Sequence, residues 1–157
     1  MRFLGNIEAK VDSKGRAFLP SIFRKVLNTS CETSIIMKKD IFQPCLVLYT
    51  ESVWNNMLST LRQHLNRWSN KDQMIFRQFI SDVEIISLDV SGRFLIPKRY
   101  LKMAHIEQQI KFIGMDDCIE IWNNDNTNSF IDIKEFSESL EKIMQKDRSI
   151  LVNSTSI

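Results

Sequence analysis

VDSKGRAFLPSIFRKVL (residues 11–27) recurs as LDVSGRFLIPKRYLKMA (88–104). Asp12 and Asp89, Gly15 and Gly92, Arg16 and Arg93, Pro20 and Pro97, and Phe23 and Tyr100 all stand 77 positions apart. A second stretch repeats at an offset of 73, CLVLY (45–49) against CIEIW (118–122). Two copies, rather than a long array, point to duplication of a half-domain.

Local chemistry gives each copy the same course. Residues 7–11 and 83–88 read as strands. The segments from Asp12 to Gly15 and from Asp89 to Gly92 read as tight turns, because Asp bonds its own backbone there and Gly supplies a positive φ. Strands resume over 16–19 and 93–96 until Pro20 and Pro97, which suit the first turn of short helices over 21–27 and 98–103. Strands near 34–38 and 46–49, and near 110–114 and 118–122, complete the units as β-turn-β-α-β-β. The fold class is therefore α+β, with a first repeat over 1–52 and a second over 83–124. Between them, 53–82 holds connecting helices. In 51–68, Trp54, Leu58, Leu61, Leu65 and Trp68 step by four and three, and a second helix over 71–81 carries Ile75, Phe79 and Ile80. A C-terminal helix lies within 125–146, where Ile133, Phe136, Leu140 and Ile143 repeat the stripe. Such stripes are expected to pack as core. Residues 147–157 are expected to form a flexible tail.

With 157 residues and 43% apolar composition, the chain suits one domain or two halves sharing a core. No apolar run approaches the roughly 20 residues of a membrane span. Glu8 interrupts any leader-like stretch, so the cytoplasm is the expected compartment. Cys31, Cys45 and Cys118 form no CxxC pair, which disfavours a disulfide framework or a zinc site. Cys45 and Cys118, in apolar strand contexts, read as small buried hydrophobes.

Charge is unevenly spread. Residues 1–27 hold six bases against two acids, and residues 115–147 hold nine acids against three bases. One end of the chain can meet a polyanion that the other avoids, although charge alone leaves open a merely solvated surface. The turn sharpens the point. Lys14 and Arg16 flank Gly15 at its tip, Lys10 precedes it, and Arg24 and Lys25 lie on the helix after Pro20. Cations so placed can straddle a phosphate backbone, and arginine can read guanine edges bidentately. Asp12–Arg16 and Asp89–Arg93 are equally readable as ion pairs within the turns, and both roles can hold together.

The Asp-x-x-x-Arg turn followed by an aliphatic-Pro, seen as DSKGRAFLP and DVSGRFLIP, resembles the signature of AbrB-like swapped-hairpin domains. Two copies in one chain resemble the MraZ family, as do FQPCLVLY (42–49) and CIEIW (118–122). The resemblance spans residues 1 to about 145. It implies that the two halves interleave hairpins into a double, barrel-like core with the amphipathic helices packed outside. It also implies a ring-shaped homo-oligomer, associated with the nucleoid, that binds repeated G-rich boxes in double-stranded DNA and usually represses the division and cell-wall gene cluster. The DNA face it implies here is Lys10, Arg16, Arg24 and Lys25, with Lys14 at the tip. The second copy departs from this pattern: Ser87 stands at the place of Lys10 and Leu101 at that of Arg24, while Arg93 and Lys102 remain. The first copy is thus expected to carry most of the DNA contact, with Arg93 the main contribution of the second.

Other classes fare worse. Asp12 and Asp89 invite comparison with an aspartic-protease dyad, but that motif places Gly two residues after Asp, and adjacent arginines oppose the sharing of one proton. No phosphate-binding loop or HExxH is present. His64 and His105 sit in polar contexts as surface residues, Asp116-Asp117 reads as a turn, and no cofactor or metal is expected. The sequon at Asn28 matters only in a secreted protein. An AbrB-type antitoxin, with a protein partner on the C-terminal helix, is the alternative from a different class.

Overall fold

A computed structural model describes residues 2–125 and 129–155, with side chains described through 146. The chain divides into two units, Met1–Asp125 and Asn126–Ile157. The first unit opens with β1 (Phe3–Lys10), β2 (Arg16–Phe18), α1 (Ser21–Thr29), β3 (Ile35–Lys39) and β4 (Leu46–Thr50). Helices α2 (Glu51–His64) and α3 (Asn70–Ser81) follow. The second copy comprises β5 (Val83–Ile86), β6 (Arg93–Leu95), α4 (Lys98–Met103), β7 (Gln109–Asp116) and β8 (Cys118–Asn123). Helix α5 (Ile133–Thr155) lies in the second unit.

The strands form a six-stranded sheet in the order β1-β7-β8-β4-β3-β5 and a two-stranded sheet, β2-β6, with every pairing antiparallel. Exchanging the copies maps β1 to β5, β2 to β6, β3 to β7 and β4 to β8, and the order reads the same. Each copy therefore pairs with the other: β1 runs along β7, β3 along β5, and β2 along β6. Backbone bonds across this pseudo-two-fold repeat at the 77-residue offset, Leu19 N–H to Gly92 O at 3.0 Å and Ile96 N–H to Gly15 O at 2.8 Å.

The core draws on both sheets and on the short helices of both copies. Leu19 and Phe23 of one copy, and Ile96 and Tyr100 of the other, are at most 1% exposed. Burial of such side chains contributes about 1.5–3 kcal/mol each. Pro20 and Pro97 precede α1 and α4, so each strand turns inward at the same point. The Tyr100 hydroxyl donates to the Asp82 carbonyl at 3.2 Å, which satisfies its polar end.

Several boundaries differ from the sequence reading. Strand β1 begins at Phe3 instead of 7 because inward parity runs through Phe3, Ile7 and Ala9, and Gly5 hides it. Helix α2 ends at His64 instead of 68. There the Asn66 side chain accepts from Trp68 N–H at 2.9 Å, and Ser69 Oγ caps α3 by accepting from Asp72 N–H at 3.2 Å. Local side-chain bonds of this kind compete with the helix. Trp68 consequently leaves the stripe and is 96% exposed. Trp54 is the buried residue of α2, stacked on Phe79 at 5.6 Å, and Ile75 is exposed. In the second unit, α5 continues to Thr155, beyond the 146 expected, because no Gly or Pro interrupts 133–155. Its stripe was expected to be core; instead Ile133, Phe136, Leu140 and Ile143 are all exposed. The end of the expected tail, 156–157, lies outside the described residues.

Candidate nucleic-acid interface

Both turns are built by an aspartate. Asp12 Oδ1 accepts from Lys14 N–H at 2.9 Å and Arg16 N–H at 2.8 Å. Asp89 Oδ1 accepts from Ser91 N–H and Arg93 N–H, each at 2.9 Å, and from the Ser91 hydroxyl at 2.7 Å. Gly15 and Gly92 close the turns at φ +86° and +88°, a region costly for other residues. The N–H of Arg16 chiefly, aided by its side chain and by Lys14 N–H, holds the Asp12 carboxyl below its ordinary value. The N–H of Arg93 chiefly, with the Ser91 hydroxyl, does the same for Asp89. Each aspartate is thus a settled carboxylate tied to its own arginine, which is the opposite of a proton-sharing dyad.

The second oxygen of each aspartate fixes an arginine. Arg16 Nε donates to Asp12 Oδ2, and Arg93 Nε donates to Asp89 Oδ2, both at 3.0 Å. Among the described residues these are the only hydrogen bonds made by either guanidinium, so the terminal nitrogens keep their donors. The two arginine side chains are 34% and 32% exposed. Pairing of β2 with β6 sets Arg16 opposite Leu95, Ala17 opposite Phe94 and Phe18 opposite Arg93. Ala17 and Phe94 are buried. Strand alternation therefore puts Arg16, Phe18, Arg93 and Leu95 together on the outward face. Arg16 and Arg93 are diagonal neighbours there, about 7–8 Å apart at the backbone.

The remaining cations divide. Lys14 is exposed on the first turn, and Lys10 is exposed at the end of β1, paired with Gln109. Lys25 is exposed on α1 and shares a hollow with Arg2 and Thr29. Arg24 goes elsewhere. Its Nη1 donates to Ser91 O at 3.4 Å, its Nε is buried without a partner, and a Cβ added at Gly92 would lie 2.4 Å from Nη1. Arg24 thus props the second turn, while its repeat counterpart, Leu101, packs beside Gly15. In the second copy, Arg99 is held by Asp82 at 3.2 Å and Glu84 at 2.7 Å, and Lys98 and Lys102 are exposed. Phe18 and Leu95 share this face although no charge marks them in the sequence. Their signal is strand parity, which each shares with an arginine.

Other candidate groups stay apart from this face. Burial pushes the thiols of Cys45 and Cys118 up to about 12, and all three cysteines are free. His64 and His105 are exposed. Among the described residues no cluster of His, Cys, Asp or Glu is arranged to hold a metal ion, and no helix is long and apolar enough to cross a membrane.

These features define a tandem-repeat α+β protein whose two copies each present an aspartate-braced arginine on one shared face. The family model described as "MraZ protein, putative antitoxin-like" matches twice, over residues 2–78 and 79–148. A "Transcriptional regulator MraZ" of Phocaeicola vulgatus is 55% identical over 151 residues, covering 96% of this chain and 98% of that one. Its namesake in Bacteroides fragilis is 54% identical over 149 residues, 94% of both chains. That of Pseudomonas savastanoi pv. phaseolicola is 30% identical over 130 residues, 83% and 85% respectively. The chain belongs to the MraZ family, a family of transcriptional regulators and not of enzymes.

Proposed function

We propose that this protein binds double-stranded DNA sequence-specifically, with the outward face of the β2–β6 ribbon in the major groove. The observation that carries the reading is the pair of guanidiniums, each fixed through Nε and free at its terminal nitrogens, borne by diagonally neighbouring strand positions on that face. A two-stranded ribbon fits a groove about 12 Å wide, and an arginine fork presents two parallel donors to guanine O6 and N7. Bracing by aspartate lowers the rotamer freedom lost on binding. Lys10, Lys14 and Lys25 supply phosphate contacts, and Arg24 acts through the turn it supports.

Family membership supports the finer picture. The cross-copy pairings support a reading of the two halves as interleaved, swapped hairpins, and the partners in this reading are promoter DNA and further copies of the chain. A single basic face binds weakly and with strong salt dependence. A ring-shaped homo-oligomer meeting several G-rich boxes upstream of the division and cell-wall gene cluster gains avidity through effective concentration. Repression follows where those boxes overlap a promoter, and the working location is the cytoplasm, on the nucleoid. A second reading, a protein partner on α5 as in an antitoxin, draws on the exposed Ile133–Ile143 stripe; co-purification of a stable heterocomplex distinguishes it from a homogeneous homo-oligomer.

The test is fluorescence anisotropy with DNA from upstream of the protein's own gene, scrambled DNA and an Arg16→Ala variant, over a salt series. A preference of about tenfold or more for the native DNA, roughly 1.4 kcal/mol, that Arg16→Ala abolishes supports the proposal. Equal, weak binding to both DNAs regardless of Arg16 refutes it.

A further inference from the structure

We infer that Phe18 and Leu95 are specificity-determining residues that pack on thymine C5-methyl groups beside the guanines read by Arg16 and Arg93. The inference rests on the DNA reading proposed above. Phe18 and Leu95 are 77 positions apart, so they are the same position of the two copies. They are 55% and 53% exposed, while the adjacent inward residues, Ala17 and Phe94, are 1% and 2% exposed. Each stands directly across from the arginine of the other copy, and the Arg93 guanidinium lies 5.8 Å from the centre of the Phe18 ring.

A single exposed apolar side chain needs no explanation. Two repeat-related ones between two fixed cations do, because the charges that suit this face to a polyanion exclude an apolar partner surface. Within the major groove the thymine methyl is the apolar feature, and guanine supplies the acceptors that arginine requires. Directly opposed residues lie about 4.5–5.5 Å apart at Cβ, and successive bases rise about 3.4 Å per strand. Each half of the face therefore reads a guanine and a thymine one or two base pairs apart, and the pseudo-two-fold repeats this pair in inverted order. Phe18 and Leu95 differ in size, so the two halves make unequal demands.

The experiment uses native upstream DNA made with deoxyuridine in place of thymidine, which keeps the hydrogen-bonding edge and removes the methyl. Full-length wild type, the double variant Phe18→Ala/Leu95→Ala and the conservative Phe18→Leu are titrated against thymine, uracil and scrambled DNA, with sedimentation to follow assembly. Wild type and Phe18→Leu are expected to lose roughly fivefold to tenfold on uracil DNA, the scale of a few methyl contacts. The double variant, still folded by circular dichroism, binds thymine and uracil DNA alike. If wild type keeps its Arg16-dependent preference for native DNA but ignores the methyls, the inference is overturned and the DNA reading stands. If the double variant changes assembly and leaves methyl sensitivity intact, a second copy covers this face, which also overturns it. If wild type shows no preference for native DNA, the underlying reading falls first.

Discussion

Replacing Arg16 by lysine keeps the charge and removes the fork, so under the proposed DNA reading the two contributions can be told apart. Asp12 Oδ2 engages Nε at 3.0 Å, leaving two terminal nitrogens for a base edge. A lysine offers one ammonium, which either pairs with Asp12 or reaches the groove. Losing one bidentate arginine–guanine contact costs about 1–3 kcal/mol, or about 5- to 150-fold in affinity. The salt slope should stay near that of wild type in Arg16→Lys and Arg16→Ala alike, because a base-edge contact releases no phosphate counterion, whereas removing a phosphate-contacting lysine such as Lys14 should lower the slope by about one unit. Fold stability should change little, since exposed ion pairs contribute about 0–1 kcal/mol. Arg93→Lys, with its Nε held by Asp89 at 3.0 Å, should behave alike. Anisotropy titrations from low to physiological salt measure both quantities. Wild-type affinity in Arg16→Lys would refute the fork argument and reduce Arg16 to a point charge.

Three further outcomes follow from the same geometry. Gly92→Ala must take a positive φ and displace Arg24, so it should destabilise by about 2–4 kcal/mol; in an Arg24→Ala background the penalty should shrink by about 1 kcal/mol in urea melts, while Gly15→Ala, crowded by the Ile96 carbonyl at 3.0 Å, gains no such relief. Both turn carboxyls are held below their ordinary pKa of 3.8, so their contribution is fully present above that value and lost only as pH falls through the lower folded one. The stability gap between wild type and Asp12→Asn should therefore be flat from pH 7 to about 5 and close below about 4, and a gap that closes near neutrality would assign it to another group. Trp54→Ala, which removes a buried ring between Tyr49 and Phe79, should cost about 3–5 kcal/mol by thermal or chemical denaturation while leaving the turn arginines and DNA preference in place.

The parts that were legible in the sequence are the local ones. The Asp-to-Gly turns could be read because an aspartate bonds amides two and four residues ahead and glycine alone takes the closing φ cheaply. Pro20 and Pro97 marked where strand gives way to helix for an equally local reason. Strand partners were not legible: alternation assigns a face to β1, not its neighbour, and that neighbour, β7, lies in the other copy. The stripe of α5 showed a face in want of cover but not that Leu140 would be exposed. Arg24 looked like a free cation on a helix. Its counterpart is the apolar Leu101, and that substitution at a repeated position was the available sign that the site packs against a turn. Phe18 carries no charge to mark it, although the strand parity that turns Arg16 outward turns Phe18 outward with it.

Duplication within one chain accounts for how the face can be both symmetric and unequal. The bonds that join the copies are mostly backbone bonds, along β1–β7, β3–β5 and β2–β6 and at Leu19 and Ile96. They constrain the positions of the side chains and not their identity. Asp and Gly recur because the turn geometry requires those residues, and Arg recurs beside them. Where geometry makes no demand, the copies have diverged: Lys10 against Ser87, Lys14 against Ser91, Phe18 against Leu95, Arg24 against Leu101. A symmetric dimer of one repeat cannot vary its two halves independently, since any change at one turn appears at both. Fusing the copies removes that constraint. One face then carries two similar arginine forks at fixed spacing with different cations and apolar groups around each, a form suited to a DNA site whose two halves are related but not identical.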